Sequence, residues 1–504
     1  MRPGALKCTP NRRIGMAPTP RWHKRMLLLT ALTTTAAGGC AVNPVTGERQ
    51  LSLVSESQEV QIGQQAAQEA AQSIGLVEDP ALQAYVQRIG AGLAARSERP
   101  NLPWSFRVVD DPTPNAFALP GGPIFVTRGL LGIVNSEAEL ASVLGHEIGH
   151  VTARHSVTQI SRAQLAQIGL GVGSVLFPGA AQQLGGLASG GLQLLFLSYG
   201  RDAERQADDL GFRYARGEGY DVREMADVFR ALERVGETEG RSPLPSWLAT
   251  HPAPAERIRA VEARVDTANL PAGLVGRRAE YLQRVDGLVY GDDPRKGYFR
   301  DGVFLHPELR FRIAFPQGWA TQNLPQAVTA VSPRKDAIMQ LTLAEGAGSP
   351  EAAAQRFFSQ GVQQGQTGRE TVNGLPAVVG YFRAQTQQGV VDGVAAWVSY
   401  GGRVYQVIAY TGGGQLGAYD RTFRQTLGSF AQLSDPQALG VQPSRIRVVR
   451  VDRRMTLAEF NQRFPSAIPL PELAVVNGVA DANSVLPAGS QAKRVVAGTA
   501  GAGD

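Results

Sequence analysis

The sequence predicts a multidomain chain: a mainly α-helical domain with a small β-sheet, then an α+β domain, then a small C-terminal α/β module. Three observations predict it. The chain has 504 residues, enough for two to four domains. Near Tyr298 the apolar spacing changes from helical to alternating. Asp435-Pro436 and Gln442-Pro443 then set the last stretch apart. With 43% hydrophobic and 19% charged residues the composition is globular, and with Cys8 and Cys40 as the two cysteines the cores form without disulfides. The expected divisions are 1–39, 40–54, 55–290, 298–433 and 445–497.

Arg21 to Arg25, followed by Met26 to Leu32, has the basic-then-apolar order of a secretory signal and is too short to span a bilayer. Ala37-Gly38-Gly39-Cys40 ends it in small residues and a cysteine, which resembles the site where bacterial lipoproteins are cut and acylated. Residues 1–39 are thus expected to be a lipoprotein signal, Cys40 the lipidated residue, and 40–54 a tether to the membrane. Segment 1–39 holds seven basic and no acidic side chains. Without them 43 Lys and Arg face 44 Asp and Glu, which removes the case for a nucleic-acid partner.

Along the first domain, Ser55 to Ser73 reads as a polar helix beginning at a Ser cap, and a second helix follows Asp79-Pro80 with Leu82, Val86, Ile89 and Leu93 on one stripe. Trp104 to Val109, Asn115 to Leu119 and Ile124 to Thr127 are strand candidates; the prolines around Gly121-Gly122 put one at a sheet edge. Ser136 to about His155 is a helix with a capping box of Ser136 and Glu139. Residues 169–191, with eight glycines and Pro178, read as a mobile hairpin or lid. Arg201 to Ala215, Met225 to Val235 and Ala255 to Val265 are further helices, the last approached through Pro243, Pro245, Pro252 and Pro254.

In the second domain, Phe311 to Phe315, Ala337 to Leu343, Ala377 to Arg383, Gly393 to Tyr400 and Val404 to Tyr410 alternate as strands, with a helix over Ala352 to Gln363. In the third, Val448 to Val451, Thr456 to Phe460, Asn477-Gly478 and Leu486 to Gly489 give strand, helix, turn and strand. That order resembles a LysM glycan-binding module, although Arg453-Arg454 stands where such modules carry Gly-Asp. A bland capping subdomain accounts for the same pattern.

His146-Glu147-Ile148-Gly149-His150 lies inside the Ser136 helix. Residues four apart share a helical face, so both imidazoles reach one ion, and Glu147 projects beside them to activate water. One zinc per chain is the expected cofactor. A catalytic zinc needs a third protein ligand and an open fourth position. Glu204, in Arg201-Asp202-Ala203-Glu204, is the candidate, with Asp208 one turn on to accept the outer N–H of a ligating imidazole. His155 is off the metal face and is expected to pack or hydrogen-bond. A structural zinc site is disfavoured because such sites are usually closed by Cys-rich ligand sets.

With these residues in view, the chain resembles the gluzincin metallopeptidase family of the CAAX prenyl proteases and HtpX, in its BepA-like soluble bacterial envelope branch. The matching pieces are Asn115 to Ala118, His146 to His155, Arg201 to Gly211, and Thr250-His251-Pro252 with Arg257-Ile258. The resemblance implies zinc held by His146, His150 and Glu204, with Glu147 as base and acid, and it says nothing firm about residues 300–504. Asn115, Ala116, Phe117 and Ala118 are then the candidate substrate edge, on which an extended peptide adds as a strand; an ordinary edge strand is the other reading. His251 stabilises the oxyanion, occupies the open zinc position in a latent enzyme, or is structural, and the sequence leaves these three open. The function expected is zinc-dependent endopeptidase action on misfolded or misassembled envelope polypeptides in the bacterial periplasm. Ala41, in place of the Asp that favours inner-membrane retention, points the Cys40 lipid to the outer membrane. The alternative is an assembly or glycan-binding factor with a latent protease site, contacting peptidoglycan or assembly machinery through its C-terminal domains.

Overall fold

The computed structural model describes residues 40–169, 198–236, 247–252, 254–386 and 389–499. The signal segment, nearly all of the glycine-rich 169–191 stretch, and Pro243 and Pro245 lie outside the described residues. Helices and several sheets build a multidomain chain.

The described residues begin with an antiparallel hairpin, β1 (Cys40–Val42) and β2 (Arg49–Leu51), where a tether was expected. Helix α1 (Glu56–Ser73) starts at Ser55, whose hydroxyl accepts the Gln58 N–H while the Gln58 side chain accepts the Ser55 N–H. Helix α2 (Pro80–Ala94) starts at Asp79, which accepts two N–H groups of its first turn. Strands β3 (Ser105–Val109), β4 (Ala116–Ala118) and β5 (Pro123–Thr127) form a sheet of order β3-β5-β4, with β3 parallel and β4 antiparallel to β5. After α3 (Arg128–Ile133) comes α4 (Glu137–Thr152), every residue of which is buried. It is the axle of the domain, wrapped by α5 (His155–Gly169), α6 (Arg201–Gly217), α7 (Glu224–Gly236), α8 (Trp247–Thr250), α9 (Pro254–Thr267) and α10 (Arg278–Val285).

Two local expectations change at the ends of α4. Ser136 Oγ accepts the Glu139 N–H as the capping box requires, but Glu139 Oε2 accepts from Asn135, one residue before the cap. At the other end the helix stops at Thr152. Arg154 is left-handed at φ 60°, so His155 opens α5 instead of closing α4.

The second unit holds β6 (Tyr298–Arg300), β7 (Val303–His306) and β8 (Phe311–Ala314), which with β16 (Ala431–Gln432) form a four-stranded sheet of order β16-β8-β7-β6. A seven-stranded antiparallel sheet of order β12-β13-β14-β15-β11-β10-β9 follows from β9 (Ala320–Leu324), β10 (Ala327–Val331), β11 (Ala337–Leu343), β12 (Gln363–Val372), β13 (Leu375–Thr386), β14 (Gly389–Tyr400) and β15 (Arg403–Gly412). Helix α11 (Pro350–Phe358) covers one face around Phe382 and Trp397. Helix α12 (Leu416–Leu427) and the smaller sheet cover the other. The expected helix ends early at Phe358, because Gln363 already opens β12.

After α13 (Pro436–Leu439), β17 (Arg445–Arg450) and β20 (Gln491–Val496) pair antiparallel around two short helices, α14 (Leu457–Arg463) and α15 (Leu470–Val476). β18 (Met455–Thr456) pairs with β19 (Val485–Leu486). Of the expected strand stretch Leu486 to Gly489, Leu486 lies in β19, while Pro487 to Ser490 is a turn that leads into β20. Among the described residues no helix is long and apolar enough to cross a membrane.

Candidate metal centre

Two helices make the centre, and glycines let them touch. Gly145 and Gly149 on α4 face α6 at Gly211 and Ala207. A Cβ at Gly211 would stand 2.7 Å from the His146 backbone nitrogen, and one at Gly149 would stand 3.0 Å from Ala207 Cα. At that separation Glu204 and Asp208, one turn apart on α6, reach the two histidines four apart on α4.

The imidazoles of His146 and His150 approach at Nε2, 3.0 Å apart. Glu204 lies 3.6 Å from His146 Nε2 and 3.5 Å from His150 Nε2. His251, just past α8, brings Nδ1 to 3.2 Å from His146 Nε2 and 3.1 Å from Glu204 Oε1. One donor atom from each of these four buried side chains lies within 4.8 Å of the others. His146 Nδ1 is 2.8 Å from Asp208 Oδ1, which makes Nδ1 the protonated nitrogen and leaves the Nε2 lone pair facing the cluster. His155 plays the matching part for His150, Nδ1 to Nδ1 at 2.9 Å, and is itself held by Gln206 at 2.9 Å. Burial holds both His146, down at about 4, and His150 in their neutral forms. Neutral imidazole lone pairs converging with a carboxylate repel one another unless a cation lies between them, so this donor set fits a metal ion.

Around the donors the charges are paired. Arg257 from α9, 3% exposed, contacts Asp208 at 2.8 and 2.5 Å and Glu204 at 2.9 Å. Its guanidinium also stands 4.5 Å over the Trp247 ring and 4.3 Å over Phe229. Burial would raise Asp208, but Arg257 and His146 outweigh it and hold the carboxyl down at about 2. Glu147 is different. Burial pushes it up to about 7, and its Oε1 lies 3.5 Å from His251 Nε2, too far for a hydrogen bond. His251 is raised, since Glu204 and Glu147 outweigh its burial.

Every residue singled out for the centre is therefore in one place: His146, Glu147, His150, Glu204, Asp208 and His251. Arg257 was missed as a working part. The sequence marked it only as part of the family resemblance, in Arg257-Ile258, which says nothing of charge pairing. Asn115 and β4 run beside α4, with β4 at a sheet edge, and all four residues from Asn115 to Ala118 are buried. Cys40 lies far along the chain, at the start of β1.

The model of Peptidase family M48 matches residues 80–265, the stretch that contains α2 through most of α9. A beta-barrel assembly-enhancing protease of Yersinia pestis is 31% identical over 282 residues, covering 54% of this chain and 55% of the relative. The mitochondrial metalloendopeptidase OMA1 of Schizosaccharomyces pombe is 32% identical over 225 residues, covering 44% of this chain and 64% of that one. The chain thus spans about half the length of the first of these relatives. Among solved structures, a cyanobacterial PsbP from Synechocystis sp. PCC 6803 aligns at 14% identity and a TM-score of 0.23, covering 26% of this chain and 91% of the other. The buried cluster of His146, His150, Glu204 and His251 falls inside the segment, residues 80–265, that is similar to the metallopeptidases of family M48.

Proposed function

We propose that this chain is a zinc-dependent endopeptidase of the bacterial cell envelope. The observation that carries the reading is the buried donor cluster with the buried carboxyl of Glu147 beside it. His146, His150 and Glu204 would hold the metal, with Asp208 and His155 orienting the two imidazoles from outside. Bound zinc supplies Lewis-acid chemistry, polarising the scissile carbonyl and lowering the pKa of water to about 7. Glu147 takes the proton from the attacking water and returns it to the leaving amine. A carboxyl lifted to about 7 by burial is suited to both transfers near neutral pH.

His251 supports a latent resting state. With Nδ1 inside the cluster it would be a fourth donor to a bound ion, and hydrolysis would require it to swing out. Once displaced, the same ring is placed to steady the oxyanion. The substrate would add as a strand along Ala116–Ala118, an edge now buried, which accords with a closed enzyme.

The substrates we propose are envelope polypeptides that are misfolded or still assembling, in keeping with relatives named for enhancing β-barrel assembly. Periplasmic placement and a lipid on Cys40 in the outer membrane complete the reading. For the C-terminal unit, two helices between paired strands β17 and β20 favour a LysM-like module and contact with peptidoglycan glycan.

The test is metal content and casein hydrolysis of the chain from Ala41 onward. One zinc per chain, activity lost with metal retained in Glu147→Gln, and a gain in His251→Ala are expected. Hydrolysis that survives Glu147→Gln would remove that residue's role, and zinc without activity in any variant would favour a binding factor.

A further inference from the structure

The segment between the lipidation site and the first helix is folded and fastened to the helix that carries the histidines. Strands β1 and β2 pair from Cys40 with Leu51 to Val42 with Arg49. At the turn, Asn43 is buried; its Oδ1 accepts the Val45 N–H at 2.8 Å and its Nδ2 donates to the carbonyl of Ala153 at 3.4 Å. Ala153 caps α4, so this bond satisfies a carbonyl that the helix itself leaves open. Leu53 N–H donates to Ser161 Oγ of α5 at 2.9 Å, and Arg154 donates to Val54 O at 3.0 Å. Arg154 is in turn gripped by buried Glu59, which also binds Arg99, and Arg99 donates to the carbonyl of Val151. Val54 is packed with Val157 and Ile160. The hairpin is therefore bolted to both sides of the α4–α5 junction, three residues beyond His150.

This attachment sets a distance. A flexible stretch of 15 residues reaches up to about 50 Å, whereas the three residues from Cys40 to Asn43 span at most about 10 Å. Adding the Asn43 contact and one turn of helix back to His150, Cys40 stands on the order of 25 Å or less from the metal centre. Two of the six large apolar side chains exposed among the described residues, Val42 and Leu53, are in this same hairpin region. Exposed apolar groups beside an acylated residue suit contact with a lipid surface.

We propose that residues 40–54 are a rigid mount which holds the α4–α5 end of the protease domain against the bilayer, so that the site serves chain segments presented within about 25 Å of the membrane surface. The inference rests on the lipoprotein reading of Cys40. Its substrate class is narrower than envelope polypeptides at large: it is the membrane-proximal portion of chains lying at or emerging from the bilayer.

The experiment uses the full lipidated chain in phosphatidylethanolamine/phosphatidylglycerol vesicles that carry an acceptor dye on their headgroups. A donor is placed at Arg162→Cys, an exposed site next to Ser161. Strong energy transfer is expected for the native spacing. Most of it should be lost when twelve Gly and Ser residues are inserted between Cys40 and Ala41, and partly lost in Asn43→Ala. Equal transfer with and without the insertion would overturn the mount. The mass of the vesicle-bound chain separates the two readings: an unmodified Cys40 overturns the lipoprotein reading and the mount with it, while acylated Cys40 with insensitive transfer overturns the mount alone.

Discussion

At the scale of single residues, the charges that matter most are the ones turned away from the metal. Asp208 fixes the tautomer of His146, and Arg257 fixes Asp208. Asp208→Ala is expected to weaken metal affinity by about 10–100-fold while leaving the helix content unchanged, as read by metal titration beside circular dichroism. Unchanged affinity would show that packing alone orients the ring. Removing Arg257 should be costlier, since Arg257→Met leaves Glu204 and Asp208 buried without their cation; a loss of about 3–5 kcal/mol is expected in denaturant unfolding. The histidines, Glu147 and Glu204 were legible in the sequence because metal chemistry imposes a spacing on them. Arg257 was visible only as a piece of the family resemblance, and its role was not legible, because ion pairing imposes no spacing. A second titratable residue acts far from the metal. Burial pulls His306 down from 6.5 to about 4, and its Nδ1 accepts the Leu309 N–H at 3.2 Å, so the folded ring is neutral. Between those values the unfolded chain binds the extra proton and the folded one does not. Stability is therefore complete above 6.5 and falls as pH drops toward 4, by at most roughly 3 kcal/mol. His306→Asn is expected to flatten that slope in thermal melts; an unaltered slope would assign the acid sensitivity elsewhere.

At the scale of elements, the crossing of α4 and α6 is what turns two motifs into one centre. The stripes of these helices were readable, but the residues that permit their approach are glycines, and a glycine carries no periodic signal. Gly145, Gly149 and Gly211 each sit where a Cβ would fall within about 3 Å of the opposing backbone. Gly211→Ala is expected to push the helices apart, costing roughly 1–3 kcal/mol by overpacking and weakening metal binding. Gly217→Ala, at the far end of the same helix, would meet only the flexible Arg96 side chain and serves as the control. Equal metal affinity in both variants would mean that the crossing tolerates more separation than its contacts imply. In the β-rich unit the contrast is between strands with a buried face and strands without one. β11 runs over the residues its alternation marks, Ala337 to Leu343. β12 is exposed along nearly all of its length as the sheet's outer strand, so Gln363 to Val372 offers no apolar alternation to detect.

At the scale of the whole molecule, the C-terminal unit is not a pendant module. The sequence sets it off by prolines and charges, and nothing in Arg447 to Val496 announces a partner. In the fold it packs against the protease domain near the start of α4. Lys493, on β20, is fully buried and donates to the carbonyls of Gly132 at 2.7 Å and Val134 at 2.8 Å, at the C-terminal end of α3. Ile446 and Val475 join the main core of the protease domain, Tyr290 donates to Glu472, and backbone bonds run between Gly287 to Tyr290 and Ser444 to Ile446. A lysine in a strand reads as a solvent-facing residue until the surface it meets is known, which is why this contact was invisible in the sequence. Its position is electrostatically pointed, because burial pushes Glu139, in the first turn of α4, up and Lys493 down, each against the pull of the other. Lys493→Met removes the buried amine and leaves both carbonyls without their donor, and about 1–3 kcal/mol should be lost from the unfolding of the protease domain. The paired variant Lys493→Met with Glu139→Gln should recover part of that loss, a coupling of about 0.5–3 kcal/mol in a double-mutant cycle. Strict additivity would show that Lys493 serves the carbonyls alone. Recovery would show that the C-terminal unit supplies a polar partner on which the metal-bearing helix depends, so that removing residues 444–496 should lower metal retention as well as stability.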